Sequence, residues 1–321
     1  MKPTVVIAHT AFGDELAVER SVLRQIDVNI VHTGNLTEPD ALAAVTSADA
    51  LMVTLERVTA PIIESMTHCQ VISRAGTGLD TIDIPAATAR GIWVAYVPDY
   101  SIDEVSTHAI ALLLAQARGI VPLVQSTQRG EWDATHAGTL NRFCEQTLGI
   151  VGFGRIGQAT AAKGRGLGLR VLVTDPMINQ EAVQRIGVEV VDQTTLARES
   201  DYISLHTPLL ESTRHLVDAP FLSLMKPTAY LINAARGPLV DETALLDAVR
   251  TGIIAGAALD VLTTEPPAAD HPLLQEPRIL LTPHSAWYSE EAKIEMRRRA
   301  AEEVVRVLQG QPPRAPANQP G

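Results

Sequence analysis

The middle of the chain holds its most constraining stretch. Leu148-Gly149-Ile150-Val151 has the apolar pattern of a short buried strand, and it runs directly into Gly152-Phe153-Gly154-Arg155-Ile156-Gly157. A helical pattern follows, from Arg155 to about Leu167, and then a second strand pattern, Arg170–Thr174, which ends in Asp175. Glycines in the order Gly-x-Gly-x-x-Gly between a strand and a helix, with an acid 18 residues beyond the last of them, specify a βαβ unit. Such a unit requires neighbouring parallel strands, so all-helical and all-antiparallel architectures are excluded.

The same residues indicate what the unit holds. Gly152 permits the tight turn, Gly154 lets a pyrophosphate approach the backbone, and Gly157 lets the helix pack closely on the strand. Arg155 and Ile156 open the helix, whose free amides and dipole favour phosphate. Asp175 is placed to accept hydrogen bonds from the adenosine ribose hydroxyls. A carboxylate there would repel a 2′-phosphate, and Pro176-Met177-Ile178 brings no compensating cation. The expected cofactor is NAD. The fingerprint of FAD proteins usually opens a chain, whereas this one lies near the middle.

The rest of the sequence repeats the strand–helix alternation. Strands are predicted at Val5–Ala8, Val28–Val31, Ala50–Thr54, Val71–Ser73 and Ile92–Ala95, and later at Tyr202–His206, Ala229–Asn233, Ala255–Ala258 and Ile279–Leu281. Helical patterns cover Asp14–Arg24, Pro39–Ala48 (after Thr37-Glu38) and Glu290–Leu308, the last with Ser289 as its N-cap. Ser101–Arg118 is apolar around much of its circumference, as a helix buried between two bodies would be. A polar segment runs from Gln125 to Gln146, and Gly310–Gly321 reads as a tail with mobile last residues. At about 150 residues per domain, 321 residues make two domains. The expected fold class is α/β: two doubly wound parallel-sheet domains of Rossmann or flavodoxin type with a cleft between them.

Three segments place a titratable residue just beyond a predicted strand, where open parallel sheets bind ligands. Arg236 follows Leu231-Ile232-Asn233-Ala234-Ala235, and its planar fork suits a carboxylate. Asp260 closes the next strand and is followed by Thr264-Glu265-Pro266. His284 stands in Thr282-Pro283-His284-Ser285-Ala286-Trp287. Hydride transfer to a carbonyl needs an acid for the developing alkoxide. A histidine oriented by a carboxylate supplies one near neutral pH, and Glu265 with His284 is the candidate pair. His108 lies on the long helix and is as well explained by packing as by a site.

These motifs together resemble the NAD-dependent D-2-hydroxyacid dehydrogenase family. The resemblance rests on Arg74-Ala75-Gly76-Thr77-Gly78-Leu79-Asp80-Thr81-Ile82-Asp83, the glycine run with Asp175, Leu205-His206-Thr207-Pro208-Leu209, Asn233–Gly237, Glu265-Pro266 and Thr282-Pro283-His284. It implies that Arg236, Glu265 and His284 are catalytic, and that Arg74, Gly76, Thr77, Gly78 and Trp287 contact substrate. It also implies cofactor contacts at Gly152, Gly154, Arg155, Ile156, Gly157, Asp175, His206, Thr207, Pro208, Thr213, Ala234 and Asp260, with Asp260 meeting the nicotinamide carboxamide. The domains implied are a discontinuous substrate domain, 1–98 with 287–321, and an inserted nucleotide domain, 99–286. Within the family, Arg74, Gly130-Glu131-Trp132-Asp133 and the segment from Thr282 to Glu290 are most similar to the C-terminal binding protein branch. The animal corepressors of that branch carry long extensions that this sequence does not show, so a transcriptional role is not expected, nor is the long form of phosphoglycerate dehydrogenase, as opposed to the short one.

The implied activity is interconversion of a 2-oxo acid and the (R)-2-hydroxy acid; the alternative is an NAD(H)-sensing interaction protein resembling a corepressor. The family usually dimerises through its nucleotide domain, so a homodimer is expected. A net charge of −11 and 4% aromatic residues argue against a nucleic-acid partner. No apolar run reaches the ~18 residues of a membrane span, and the N-terminal apolar run is too short for a signal peptide, so a soluble cytoplasmic protein is expected. Cys69 and Cys144 have no ligand or nucleophile spacing, and no metal site is expected.

Overall fold

The computed structural model describes residues 2–9, 16–34, 36 and 39–321. The chain divides into two compact units: Met1–Tyr100 together with Ser289–Gly321, and Ser101–Tyr288. The opening of the predicted helix at Asp14, and Thr37-Glu38 before the next, lie outside the described residues.

The first unit runs β1 (Thr4–Ala8), α1 (Ala17–Leu23), β2 (Asn29–Thr33), α2 (Pro39–Thr46), β3 (Ala50–Val53), α3 (Ala60–Ser65), β4 (Val71–Arg74), α4 (Ile84–Ala89) and β5 (Trp93–Tyr96). Its sheet is parallel throughout, in the order β2-β1-β3-β4-β5. The strands β1, β3 and β4 are almost wholly buried, because helices cover both faces. The last helix of the chain, Glu290–Leu308, returns to this sheet and buries Ala300, Ala301 and Val304. It is joined to α1 by a buried two-pronged ion pair, Arg297 Nε and Nη2 to the Glu19 carboxylate at 2.6 and 2.7 Å. Pairing both charges in this way offsets the penalty for removing them from water.

Two expectations need correction here. The last residues are not a mobile tail: Pro316 bridges Ala95, the Ala317 amide donates to the Val94 carbonyl at 2.7 Å, and the Asn318 side chain bonds Val94, Thr88 and Ile92. β5 is the sheet's edge strand, and its otherwise unpaired backbone groups supply the partners. Trp287 belongs to the second unit and not to the returning segment, whose helix starts only after Ser289, where the Ser289 hydroxyl accepts from the Ala292 amide at 2.9 Å.

The second unit opens with α5 (Ile102–Ala117) and α6 (Ile120–Gln128). The βα series follows: β6 (Thr147–Val151), α7 (Arg155–Gly166), β7 (Arg170–Thr174), α8 (Gln180–Ile186), β8 (Glu189–Val190), α9 (Gln193–Glu199), β9 (Tyr202–Leu205), α10 (Ala219–Leu224), β10 (Tyr230–Asn233), α11 (Glu242–Arg250), β11 (Gly256–Leu259) and β12 (Ile279–Leu281). The returning helix of the first unit is α12. All seven strands are parallel, in the order β12-β11-β10-β9-β6-β7-β8, so the topological switch lies between β6 and β9. β8 escaped the sequence reading because two exposed residues carry no periodicity. The apolar face of α5 is buried within its own unit, where Ala109, Ile110, Leu112 and Leu113 join the core beneath β6 and β7.

Candidate active site

The carboxyl ends of β6, β9, β10, β11 and β12 deliver the residues of interest to one edge of the second sheet. At the end of β6 the three glycines have separate structural reasons. Gly152 has φ +93°, in the left-handed region, and a Cβ on it would come within 2.6 Å of the His206 carbonyl carbon. A Cβ on Gly157 would overlap the Gly152 carbonyl oxygen, whereas nothing lies within 4 Å of the position a Cβ would take at Gly154. Gly154 is thus open, and it caps α7 with no side chain satisfying the first amides. Asp175, ending β7, accepts from the Phe153 amide at 2.6 Å and the Met177 amide at 2.7 Å, which fixes its carboxylate beside the glycine loop. An open glycine, free helix amides and a fixed, partly exposed acid fit an NAD diphosphate and ribose.

His206 follows β9. Its Nε2 is 2.9 Å from the Ser204 hydroxyl, and burial pushes its pKa down to about 4, so the ring is neutral at pH 7. Beyond it, the Thr213 hydroxyl donates to the Pro208 carbonyl and accepts from the Leu210 amide, both at 2.7 Å, closing the turn that follows Thr207.

The loops after β10, β11 and β12 bring Arg236, Glu265 and His284 together. His284 Nδ1 donates to Glu265 Oε2 at 2.6 Å, with the two side chains 26% and 32% exposed. The carboxylate is only an acceptor, so Nδ1 carries the proton and Nε2 is the nitrogen left for another partner. Glu265 Oε1 also accepts from the Leu262 amide at 2.8 Å. Burial acts to raise the Glu265 pKa, but the His284 hydrogen bond and charge, the Leu262 amide and the Arg236 charge outweigh it and hold the group below the ordinary carboxylate value.

Each loop has its own support. The Asn233 side chain, buried at the end of β10, donates to the Arg236 carbonyl at 2.8 Å and accepts from the Ala235 amide at 3.0 Å, shaping the turn that includes Ala234. The Thr263 amide donates to Glu242 Oε1 at 2.6 Å. His284 itself has φ +50°, unusual for a residue with a side chain.

Asp260 supports the loop that carries His284. Its carboxylate is 1% exposed and faces the His284 loop, accepting from the Thr282 hydroxyl at 2.6 Å and the Ser285 and Ala286 amides at 2.9 Å. Buried polar groups are held by nearby donors, and the loop supplies them. The sequence reading gave Thr282, Asn233 and Glu242 no role of their own. Asn233 and Thr282 stand inside the quoted motifs, each at the end of a strand, and that position was the available signal.

In the first unit, Arg74 ends β4 and is buried over the following turn, where Gly76 has φ +139° and a Cβ would overlap the Arg74 guanidinium. The Thr77 hydroxyl donates to the Val97 carbonyl at 3.1 Å, and the Val97 amide donates to the Gly76 carbonyl at 3.0 Å, so the turn that continues to Gly78 is fixed. In the second unit, Trp287 is partly exposed and meets Tyr288 edge-on with ring centres 5.6 Å apart. No His, Cys, Asp and Glu cluster suited to a metal ion occurs among the described residues.

The chain matches known proteins along most of its length. Residues 110–286 match the model for the NAD-binding domain of D-isomer specific 2-hydroxyacid dehydrogenases. The chain is 39% identical to D-3-phosphoglycerate dehydrogenase of Methanocaldococcus jannaschii over 90% of its own length and 55% of the relative's, so it spans about half of that protein. It is 37% identical to glyoxylate reductase of Thermofilum pendens, over 93% of this chain and 90% of that one. Among solved structures, D-lactate dehydrogenase from Aquifex aeolicus, complexed with NAD and lactic acid, superposes with a TM-score of 0.87 at 26% identity, covering 95% and 96% of the two chains.

Proposed function

Because the chain belongs to the D-isomer specific 2-hydroxyacid dehydrogenase family and carries its NAD-binding domain, we propose that it interconverts a small 2-oxo acid and the corresponding (R)-2-hydroxy acid. The observation that carries this reading is the 2.6 Å hydrogen bond from His284 Nδ1 to Glu265 Oε2, with Arg236 on the adjoining loop. When bound, NAD(H) supplies or accepts the hydride.

The side chains supply the rest. Arg236 holds the substrate carboxylate through its planar fork. His284 delivers a proton from Nε2 to the carbonyl oxygen during reduction, and neutral His284 takes it back during oxidation. Glu265 fixes the ring's orientation and keeps the Nδ1 hydrogen in place, leaving Nε2 for the substrate. Arg74 and the Gly76–Gly78 turn are assigned to the carboxylate and carbonyl, and Trp287 to a wall beside the substrate side chain. Gly152, Gly154, Arg155, Ile156, Gly157 and Asp175 hold the diphosphate and ribose, and the backbone of Thr207, Pro208 and Ala234, with His206 and Thr213, borders the nicotinamide half.

We further propose a homodimer. Since α5 is buried within its own unit, the association surface lies on the following segment, where Ile120, Val124 and Trp132 are exposed, Trp132 by 93%. Among the described residues no single helix is long and apolar enough to cross a membrane, and a cytoplasmic location is proposed with the function.

An assay of NADH oxidation against a panel containing glyoxylate, hydroxypyruvate, pyruvate, longer 2-oxo acids and the phosphoglycerate couple tests the activity. Turnover of at least one, with the (R) product, is expected. Failure on the whole panel by protein that binds NADH would overturn the proposal.

A further inference from the structure

The loop that carries His284 is held from behind by a chain of polar groups that ends on another element. The Asp260 carboxylate receives the Thr282 hydroxyl and the Ser285 and Ala286 amides, and the Asp260 carbonyl receives the His284 amide at 2.8 Å. Behind Thr282 stands His108 of α5, with Nε2 3.0 Å from Thr282 Oγ1 and 3.5 Å from Asp260 Oδ1.

Counting protons fixes the direction of this chain. The Thr282 hydroxyl has one hydrogen, and it goes to the carboxylate, which can only accept. Thr282 Oγ1 must therefore accept from His108, so His108 carries its hydrogen on Nε2. The sequence N–H to O–H to carboxylate runs one way, and each bond polarises the next. The donor sits on a firm base. Lys163 of α7 donates to the Asp103 carboxylate and to the Ser106 and Thr107 hydroxyls at 2.6, 2.6 and 2.9 Å, tying the first turns of α5 to the helix that follows the glycine loop.

We propose that His108 is a positioning residue for His284, acting through Thr282 and Asp260 on the loop 282–286. This rests on the acid role assigned to His284 above. The loop needs such support because His284 sits at φ +50°, a conformation that persists only where the surroundings over-determine it. Three successive amides, those of His284, Ser285 and Ala286, end on Asp260, so the angle of that one side chain and strand end sets where the imidazole stands.

The test compares His108→Ala, His108→Gln, Thr282→Val and the His108→Ala/Thr282→Val double variant. Readouts are kcat, KM, NADH affinity by fluorescence titration, and amide exchange across 284–286. His108→Ala is expected to lower kcat about tenfold or more, leave NADH affinity within about twofold, and speed exchange of the loop amides. His108→Gln, which keeps a donor for Thr282, should recover most of the loss in both readouts. The double variant should be no worse than the poorer single one, because both break one chain. Unchanged kcat and exchange in His108→Ala, a Gln variant as impaired as Ala, or additive losses would each overturn the proposal. If the unmodified protein turns over no 2-oxo acid, the dehydrogenase reading fails, and the exchange data alone still decide the positioning claim.

Discussion

Gly237 lies against Leu262 so closely that a Cβ on the glycine would overlap the Leu262 carbonyl carbon. This contact joins the turn after β10, which presents Arg236, to the loop after β11, which presents Glu265. Both neighbours are backbone, so neither can rotate away. Gly237→Ala should therefore separate the two loops, costing about 1–3 kcal/mol of stability and lowering kcat/KM by about 10²-fold. Denaturant melts and steady-state kinetics on the same sample check this; a variant with full activity would show that the loops are independently placed.

Glu265→Gln removes the group that orients His284, and kcat should fall by about 10²-fold while the fold persists. The pH dependence of stability offers a separate check. The folded-state pKa of Glu265 lies below its ordinary value, so ionisation favours the folded state above about pH 4.5, and that contribution disappears as pH falls through the folded value. The difference in Tm between the unmodified protein and Glu265→Gln should shrink on acidification. A constant gap from pH 7 to pH 3.5 would contradict the pairing.

His206 titrates in a different window. Its pKa falls from 6.5 to about 4 on burial, so the unfolded chain takes up a proton that the folded one refuses. Its contribution to stability is complete above pH 6.5 and is lost as pH drops toward 4. His206→Gln should flatten the Tm profile over that interval. Parallel profiles for the two proteins would show that the ring is solvated.

The nucleotide loop was legible from the sequence because everything that defines it is local: glycine spacing, a strand before, a helix after and an acid at the end of the next strand. Arg236, Glu265 and His284 were legible as residues that end strands, since a parallel sheet gathers those ends on one edge. The direction Asp260 faces was not legible. Its donors come from 22 to 26 residues further along the chain, and nothing in the local pattern shows that the carboxylate holds that loop. The same holds for His108, whose partner is 174 residues away. The docking of 316–318 was hidden because a Pro-rich, polar composition describes a mobile end equally well, and only the open edge of β5 decides between them.

Cofactor preference should follow Asp175, but with a structural complication. Its carboxylate both repels a 2′-phosphate and holds the Phe153 and Met177 amides. Asp175→Ser is expected to raise kcat/KM for NADPH relative to NADH by about 10-fold or more while lowering the value for NADH itself. Equal use of both cofactors by the unmodified protein would exclude the repulsion argument.

Asn318 closes the edge of β5 with three hydrogen bonds, to Val94, Thr88 and Ile92. At about 1 kcal/mol per bond, Asn318→Ala should destabilise the first unit by about 1–3 kcal/mol, with no change in NADH affinity. Thermal unfolding and a fluorescence titration separate the two effects, and a loss of NADH binding without loss of stability would refute the assignment.

The buried pair of Glu19 and Arg297 has partners 278 residues apart, which sets an order of events during synthesis. The first hundred residues emerge with a carboxylate destined for the interior and no counter-charge to accompany it. The unit from Ser101 to Tyr288 is continuous and can close while the chain is still growing. The earlier segment must wait, incompletely packed, until α12 is made and supplies the guanidinium together with the apolar face that covers β3 and β4. The first unit is therefore completed only once α12 has been made, after the continuous second unit is already whole.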